Sequence, residues 1–288
     1  MNFTLPAPAK INLHLHVVGR RSDGMHELDT GFAFTQAYDE LHFTDSESLQ
    51  ISCSLQHLAA ENNLVFQLLQ ALRSEYHIKQ GLAVHVEKKL PEQSGLGGGS
   101  SDAATALMAA NHIWDTRLSI EEMIAFAAPF GADIPCFLYG KASLARGIGE
   151  KLVDYPSPLP EQVLLLAWPG SGLSTAAVFR HFDHADRTLT PSGGLDTMRR
   201  DSVELGSNDL EASACCLSPD VRLLLDFMRK EAKHAWMSGS GSACVALFDD
   251  VKQADAIAAK LRQQLLASWT HVGKMIATHP VQENSFGT

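Results

Sequence analysis

Residues 91–104 read Pro91-Glu92-Gln93-Ser94-Gly95-Leu96-Gly97-Gly98-Gly99-Ser100-Ser101-Asp102-Ala103-Ala104. Four of the five positions from Gly95 to Gly99 are glycine, and an alanine-rich helix whose first turn reads Ser-Asp is expected to follow. Glycine tolerates positive φ and has no Cβ, so successive backbone N–H groups can turn toward one point. At a helix N-terminus these amides join donors that lack intrahelical partners and the positive end of the helix dipole. The combination attracts an anion, most often phosphate. A plain glycine linker would not abut a helix that opens on Ser-Asp and carries a face of Ala103, Ala104, Ala106, Ala109 and Ala110.

The loop does not fit the two commonest phosphate motifs. A P-loop needs lysine after its last glycine, whereas Ser100-Ser101-Asp102 follow Gly99. A dinucleotide fingerprint started by Gly95-Leu96-Gly97 would need glycine where Ser100 stands, and an acidic ribose partner about 20 residues further on.

Working outward, Leu82–Glu87 alternates as a strand and feeds the loop through Leu90-Pro91. Asn62–Tyr76 places Leu64, Leu68, Leu69 and Leu72 at helical spacing, and further strands are expected at 31–38 and 41–54. In the first strand Ile11, Leu13, Leu15 and Val17 should point one way, with Lys10, Asn12, His14 and His16 on the other face. On the far side of the loop, Ser119 and Glu122 form a capping box for a helix to about Phe130, with Gly131 at its C′ position. Asp133 then lies in a connector before Pro135, with no capping duty. The proline-rich stretch 154–161 marks a boundary. Beyond it, strands at 163–168, 234–237, 243–248 and 271–277 and a helix at 251–267 follow the order of a split βαββαβ, ferredoxin-like layer. Residues 183–200 read as a mobile loop, and no internal repeat is visible.

Bulk properties narrow the function. The chain has 288 residues and a formal net charge of −10, with no long run of like charge, which argues against nucleic acid or an anionic membrane as the main partner. A phosphate site must therefore be built locally, from amides and a few cations, against an unfavourable overall field. Five cysteines without C-x-x-C spacing disfavour zinc and a disulfide scaffold and suit a reducing cytoplasm. No apolar run approaches the roughly 18 residues that span a bilayer, and the N-terminus has no signal-peptide pattern.

Three segments, taken in order, resemble a known family. Pro8-Ala9-Lys10-Ile11-Asn12-Leu13, the glycine loop, and Met237-Ser238-Gly239-Ser240-Gly241-Ser242-Ala243-Cys244 are similar to the three motifs of the GHMP kinases. Gly19 to Leu28, with Asp23-Gly24-Met25-His26 at its centre, and Phe130-Gly131-Ala132-Asp133-Ile134-Pro135 further resemble the branch acting on a cytidine-diphosphate-linked methylerythritol. The likeness runs from residue 4 to about 277 and includes Asn63, Trp168-Pro169-Gly170 and Ser207-Asn208-Asp209.

That resemblance implies an α+β, two-domain GHMP kinase. An N-terminal domain at 1–155, of the ribosomal-protein-S5-domain-2-like type, would carry the ATP loop, and a ferredoxin-like domain would span 160–288. It implies ATP as co-substrate, Mg2+, and phosphorylation of the 2-hydroxyl of the small cytidyl substrate in non-mevalonate isoprenoid synthesis. Pro91 to Ser101 would bind the ATP phosphates, with Asn63 and Lys88 near adenine. Asp133 is the expected base and Lys10 the cation that orients the acceptor hydroxyl. Asn12 would hold substrate or the lysine, His26 would read the cytosine edge, and Phe179 would stack on it. Ser100 or Ser101 is a plausible Mg2+ ligand, although the metal set and the oligomeric state stay open. His14 and His16 are expected to pack or to meet solvent rather than to bind metal.

Two positions depart from the family pattern. Met25 stands where the family has a tyrosine that stacks on cytosine, which offers an S–aromatic contact but no ring face. Glu92-Gln93-Ser94 replaces Met and small residues, so Glu92 should point away from the phosphates. The alternatives are a GHMP kinase for another small alcohol, such as homoserine, and a non-catalytic nucleotide-binding regulator. Retention of both Lys10 and Asp133 opposes the latter.

Overall fold

A computed structural model describes residues 1–58, 62–185 and 205–281. The first unit contains β1 (Asn2–Arg20), β2 (His26–Thr44), β3 (Leu49–Cys53), α1 (Leu64–Glu75), β4 (Leu82–Glu87) and α2 (Gly98–Ile113). It continues through α3 (Ile120–Ala127), α4 (Ile134–Tyr139), β5 (Ser143–Gly147) and β6 (Lys151–Asp154). The second contains β7 (Val163–Trp168), α5 (Thr175–His184), α6 (Glu211–Leu217), α7 (Pro219–Glu231), β8 (His234–Met237), β9 (Cys244–Phe248), α8 (Val251–Gln263) and β10 (Trp269–Gly273). A short β11 (Met275–Ile276) ends the succession.

Strand β2 organises the first sheet. The separate strands expected at 31–38 and 41–54 are instead this one continuous strand followed by β3. β1 runs antiparallel along one edge of β2, while β5, β11 and β4 share the other edge in turn. Helices α1, α2 and α4 cover one face, burying Leu68, Leu72, Leu107 and Phe137 against Phe34 and Phe43. Each fully buried side chain of this size contributes roughly 1.5–3 kcal/mol. All five alanines of the α2 face are fully buried, which lets the helix sit close to the sheet.

The second sheet has the order β10-β7-β9-β8 with every pair antiparallel, the ferredoxin-like arrangement that the strand order predicts. The run expected as a single strand at 271–277 is divided. Gly273 ends β10, and β11 crosses back to pair with Thr35 and Phe34 of β2. A third apolar cluster joins the sheets, with Ile11, Leu13 and Ala33 against Leu164, Leu166 and Trp236.

The largest difference from the sequence pattern lies in β1. The register shifts between Asn12 and His14, so that Asn12 faces Phe32, His14 faces Gly31 and Leu15 faces Thr30. A β-bulge inserts one residue and exchanges the faces beyond it. His14 and His16 therefore do not share the face of Lys10 and Asn12. Leu15 and Val17 also leave Ile11 and Leu13, joining the core of the second unit instead. His14 Nε2 lies 3.3 Å from Asp29 Oδ1, and His16 Nδ1 lies 3.3 Å from Asp209 Oδ1, so each ring has a carboxylate partner.

Local signals elsewhere hold with two corrections. The Ser119–Glu122 capping box forms, with both reciprocal bonds present. Gly131 is not a left-handed C′ residue; its φ is −178°, because α3 tightens into a 3-10 turn at Ala128–Phe130 through Pro129. Helix α2 begins earlier than its Ser-Asp pair suggests, with Gly98 and Gly99 forming the first turn. Of the loop expected at 183–200, Asp183 and His184 belong to α5, and 186–200 lie outside the described residues.

Candidate active site

A cleft of about 1080 Å³ opens where the three glycine- and lysine-bearing segments meet. Backbone bonds tie them together. Lys10 N–H donates to Leu96 O at 2.9 Å, and Ala243 N–H donates to Ser94 O at 2.8 Å. Ser238 is the hinge of the junction: its hydroxyl donates to Gly95 O at 3.1 Å and accepts from Asn12 N–H at 3.2 Å. Asn208 Nδ2 pins the third segment by donating to Met237 O and Gly239 O, each at 2.8 Å.

Glycine is required at the loop for contact as well as conformation. Gly95 has φ +78°, and a Cβ there would lie 2.3 Å from Ser238 O. Gly97 has φ +72° and is the N-cap of α2, where a Cβ would meet the Phe137 ring at 2.9 Å and Lys10 Cγ at 3.1 Å. No side chain caps α2. The first amides of this long helix therefore face the cleft with the donors and dipole an anion needs.

Lys10 and Asp133 are brought together beside this helix start. Lys10 Nζ stands 3.5 Å from Asp133 Oδ2 and donates to Asn12 Oδ1 at 2.7 Å, and its side chain is almost completely buried. The ammonium also lies 5.4 Å from the centroid of the Phe32 ring. Asp133 occupies the N-cap position of α4, yet its carboxylate makes no capping bond. It remains 38% exposed and lines the cleft.

Behind the loop sits a buried charge cluster. Lys88 Nζ donates to Asp102 Oδ2 at 2.7 Å and to Asp39 Oδ2. Asp39 Oδ1 in turn accepts the backbone N–H groups of Lys89 and Leu90 at 2.5 and 2.8 Å. Burial pushes the Asp102 carboxyl up, against the pull of Lys88. Burial also opposes the Lys88 charge, but Asp102 and Asp39 outweigh it and raise the lysine's pKa. A Cβ on Gly98 would come within 3.3 Å of Lys88 Nζ, so this ammonium lies directly against the first turn of α2.

Asn63 lines the same end of the cleft, with its side chain engaged locally: Oδ1 caps α1 by accepting from Val65 N–H, and Nδ2 donates to Leu58 O. Glu92 Oε2 lies 2.9 Å from His57 Nε2, which turns its carboxylate toward that ring. Gln93 accepts from Leu173 N–H through its carbonyl at 3.2 Å, and buried Ser94 donates to Pro91 O at 2.7 Å. The unusual Glu92-Gln93-Ser94 segment thus braces the loop against its surroundings.

At the opposite end His26 and Phe179 stack face to face, with ring centroids 4.5 Å apart. Asp183 accepts from His26 Nε2 at 2.6 Å and lies 3.5 Å from Arg20 Nη1. Met25 borders this end and is half exposed. Asp183 was hidden in the sequence by its position in a polar stretch; its signal is the i, i+4 spacing from Phe179, which puts both on one face of α5.

Similarity to known proteins extends over nearly the whole chain. The GHMP kinases N terminal domain matches residues 63–141, and the GHMP kinases C terminal domain matches 187–266. The chain is 35% identical to the 4-diphosphocytidyl-2-C-methyl-D-erythritol kinase of Alcanivorax borkumensis over 98% of this chain and 94% of that one. It is 36% identical to the enzyme of that name from Dechloromonas aromatica, covering 97% and 99% of the two chains. A crystal structure of 4-(cytidine 5'-diphospho)-2C-methyl-D-erythritol kinase superposes with a TM-score of 0.78 at 32% identity, over 95% of this chain and 99% of that one. Homoserine kinase from Cytophaga hutchinsonii shares the fold at 16% identity, with a TM-score of 0.65 over 96% and 95% of the chains. With relatives of this similarity along nearly its whole length, the chain belongs to the GHMP kinases, in the 4-diphosphocytidyl-2-C-methyl-D-erythritol kinase family.

Proposed function

We propose that this enzyme transfers the γ-phosphoryl group of ATP to the 2-hydroxyl of 4-diphosphocytidyl-2-C-methyl-D-erythritol, with residues 1–155 and 160–288 as its two domains. The observation that carries the reading is the Lys10–Asp133 pair beside the uncapped start of α2, in the same cleft as the His26–Phe179 stack. Amides from Gly95 to Ser101 hold the ATP phosphates, and the Lys88 charge sits behind them. Asp133 accepts the proton of the acceptor hydroxyl as the new O–P bond forms and the bond to the ADP oxygen breaks. Lys10 faces the acceptor and offsets charge on the transferring group. The hydroxyl of Ser100, which lines the cleft beside the loop amides, is a hard oxygen donor of the kind Mg2+ takes beside phosphate and water; it would hold the ion, which would supply charge neutralisation of the phosphates.

His26 sets the pyrimidine preference. With Nε2 held by Asp183, the other ring nitrogen, Nδ1, is left for the polar edge of cytosine. Asp183→Ala is therefore expected to raise KM for the cytidyl substrate about tenfold or more, the size of a lost charge-assisted hydrogen bond, while KM for ATP moves little. Steady-state kinetics with each substrate varied checks this, and an unchanged KM for the cytidyl substrate contradicts it.

An ADP-release assay across a panel of alcohols tests the function itself. ADP formation with the cytidyl substrate, far above that with homoserine or no acceptor, is the expected result. Turnover with homoserine and none with the cytidyl compound refutes the assignment.

A further inference from the structure

Lys10 owes its direction to a hydrogen-bond chain that ends on a residue with no assigned role. Thr30 lies on β2, on the same face as Phe32 and Leu28, is 1% exposed and borders the cleft. Its hydroxyl donates to His14 O at 2.5 Å, and it accepts from Asn12 Nδ2 at 2.8 Å. Asn12 Oδ1 accepts from Lys10 Nζ at 2.7 Å. The bulge between Asn12 and His14 gives β1 one residue more than β2 here, so that Asn12 and the His14 carbonyl both reach Thr30.

Proton counting makes this chain directional. A threonine hydroxyl has one proton, and that proton goes to the His14 carbonyl. Thr30 can then only accept from Asn12, which places the amide NH2 at Thr30 and Oδ1 at the ammonium. The reverse orientation would set an NH2 against an NH3⁺ and leave Thr30 without a proton for Oδ1. One ammonium proton is thus assigned to Asn12 and another faces Asp133, and the third is left for the acceptor or the transferring phosphoryl group.

We infer that Thr30 is a positioning residue for phosphoryl transfer: it fixes the Asn12 amide, which aims Lys10 at the reacting centre. The inference rests on the proposed kinase reaction and extends it by one residue that need not touch substrate. Misplacing a reacting-centre cation is costly because catalysis depends on groups held in place before the transition state.

Thr30→Val keeps the branched shape but neither donates nor accepts. It is expected to lower kcat by about 10- to 100-fold, with KM for ATP within about threefold, as for a lost hydrogen bond expressed mainly in the transition state. Thr30→Ser should restore kcat to within about threefold of wild type, since the hydroxyl logic is retained. In an Asn12→Ala background, adding Thr30→Val should cost little more, because both act through one chain. A Thr30→Val enzyme with wild-type kcat, a Thr30→Ser enzyme as slow as Thr30→Val, or additive losses in the double variant would each overturn the inference. Side-chain amide NMR of ligand-free protein keeps it separate from the substrate assignment. The Asn12 NH2 signals should move in Thr30→Val and stay in Thr30→Ser even if the wild-type enzyme proved inactive on the cytidyl substrate; unmoved signals in Thr30→Val would overturn it.

Discussion

Asp133→Asn is expected to slow turnover by about 10³-fold or more, within the range that a positioned general base contributes, while KM for ATP stays within about threefold. Asparagine has the same shape and keeps the dipole facing Lys10, but it cannot take the hydroxyl proton. The fold should be indifferent to the change, because the Asp133 carboxylate makes no capping bond to α4 and, among the described residues, pairs only with Lys10. Single-turnover rates, KM for ATP and the melting temperature decide the matter together. A variant with the wild-type melting temperature and activity within about tenfold of wild type would remove Asp133 from the base role, since a base of this kind is worth at least about 10².

Gly95→Ala is expected to damage both stability and ATP binding. Gly95 stands at φ +78°, where an L-residue is strained, and its added Cβ would lie 2.3 Å from Ser238 O, a backbone atom with no rotamer to escape into. Either the loop or the 238–241 turn must move. Movement breaks the bonds by which Ser238 joins Gly95 to Asn12, and so reaches both the phosphate amides and the Lys10 strand. A loss of roughly 3–4 kcal/mol of stability is expected, as for other substitutions that combine backbone strain with overpacking. Among molecules that remain folded, KM for ATP should rise by more than tenfold. Denaturant unfolding and ATP titration check the two parts, and a Gly95→Ala protein with wild-type stability and KM would show that the two turns do not brace each other.

Much of the site was legible because its chemistry is local in sequence. The glycine run, the Ser-Ser-Asp helix start and the Gly-Ala-Asp-Ile-Pro segment each carry a recognisable pattern within a few residues. Strands 82–87, 163–168 and 234–237 were likewise readable from alternation and flanking turns, and all three bear the expected bounds. The order of elements beyond residue 161 was enough to give the second sheet, because four strands and their crossovers admit few arrangements.

What escaped the sequence depends on contacts between distant segments. One extra residue in β1 cannot be seen from alternation, yet it turned His14 and His16 away from Lys10 and carried Leu15 and Val17 into a different core. Lys88, which the resemblance set near adenine, has its ammonium held by Asp39, 49 residues away, and by Asp102, partners that no local pattern announces. Asp183 and Thr30 lack any motif, and their meaning comes from the side chains they meet, His26 and Asn12. Asn63, expected near adenine, lines the cleft while its side chain also caps α1, a local duty the expectation did not include.

The central claim is that this cleft directs the γ-phosphoryl group of ATP to one hydroxyl. In 4-diphosphocytidyl-2-C-methyl-D-erythritol, carbon 2 bears the methyl group and no hydrogen, so a phosphate placed there has no three-bond coupling to a proton. Phosphorus NMR of the enzyme with ATP and this substrate should show ADP growing in step with a new phosphomonoester signal that lacks such coupling. A new signal split by neighbouring protons, or ADP without any new phosphomonoester, would contradict the account.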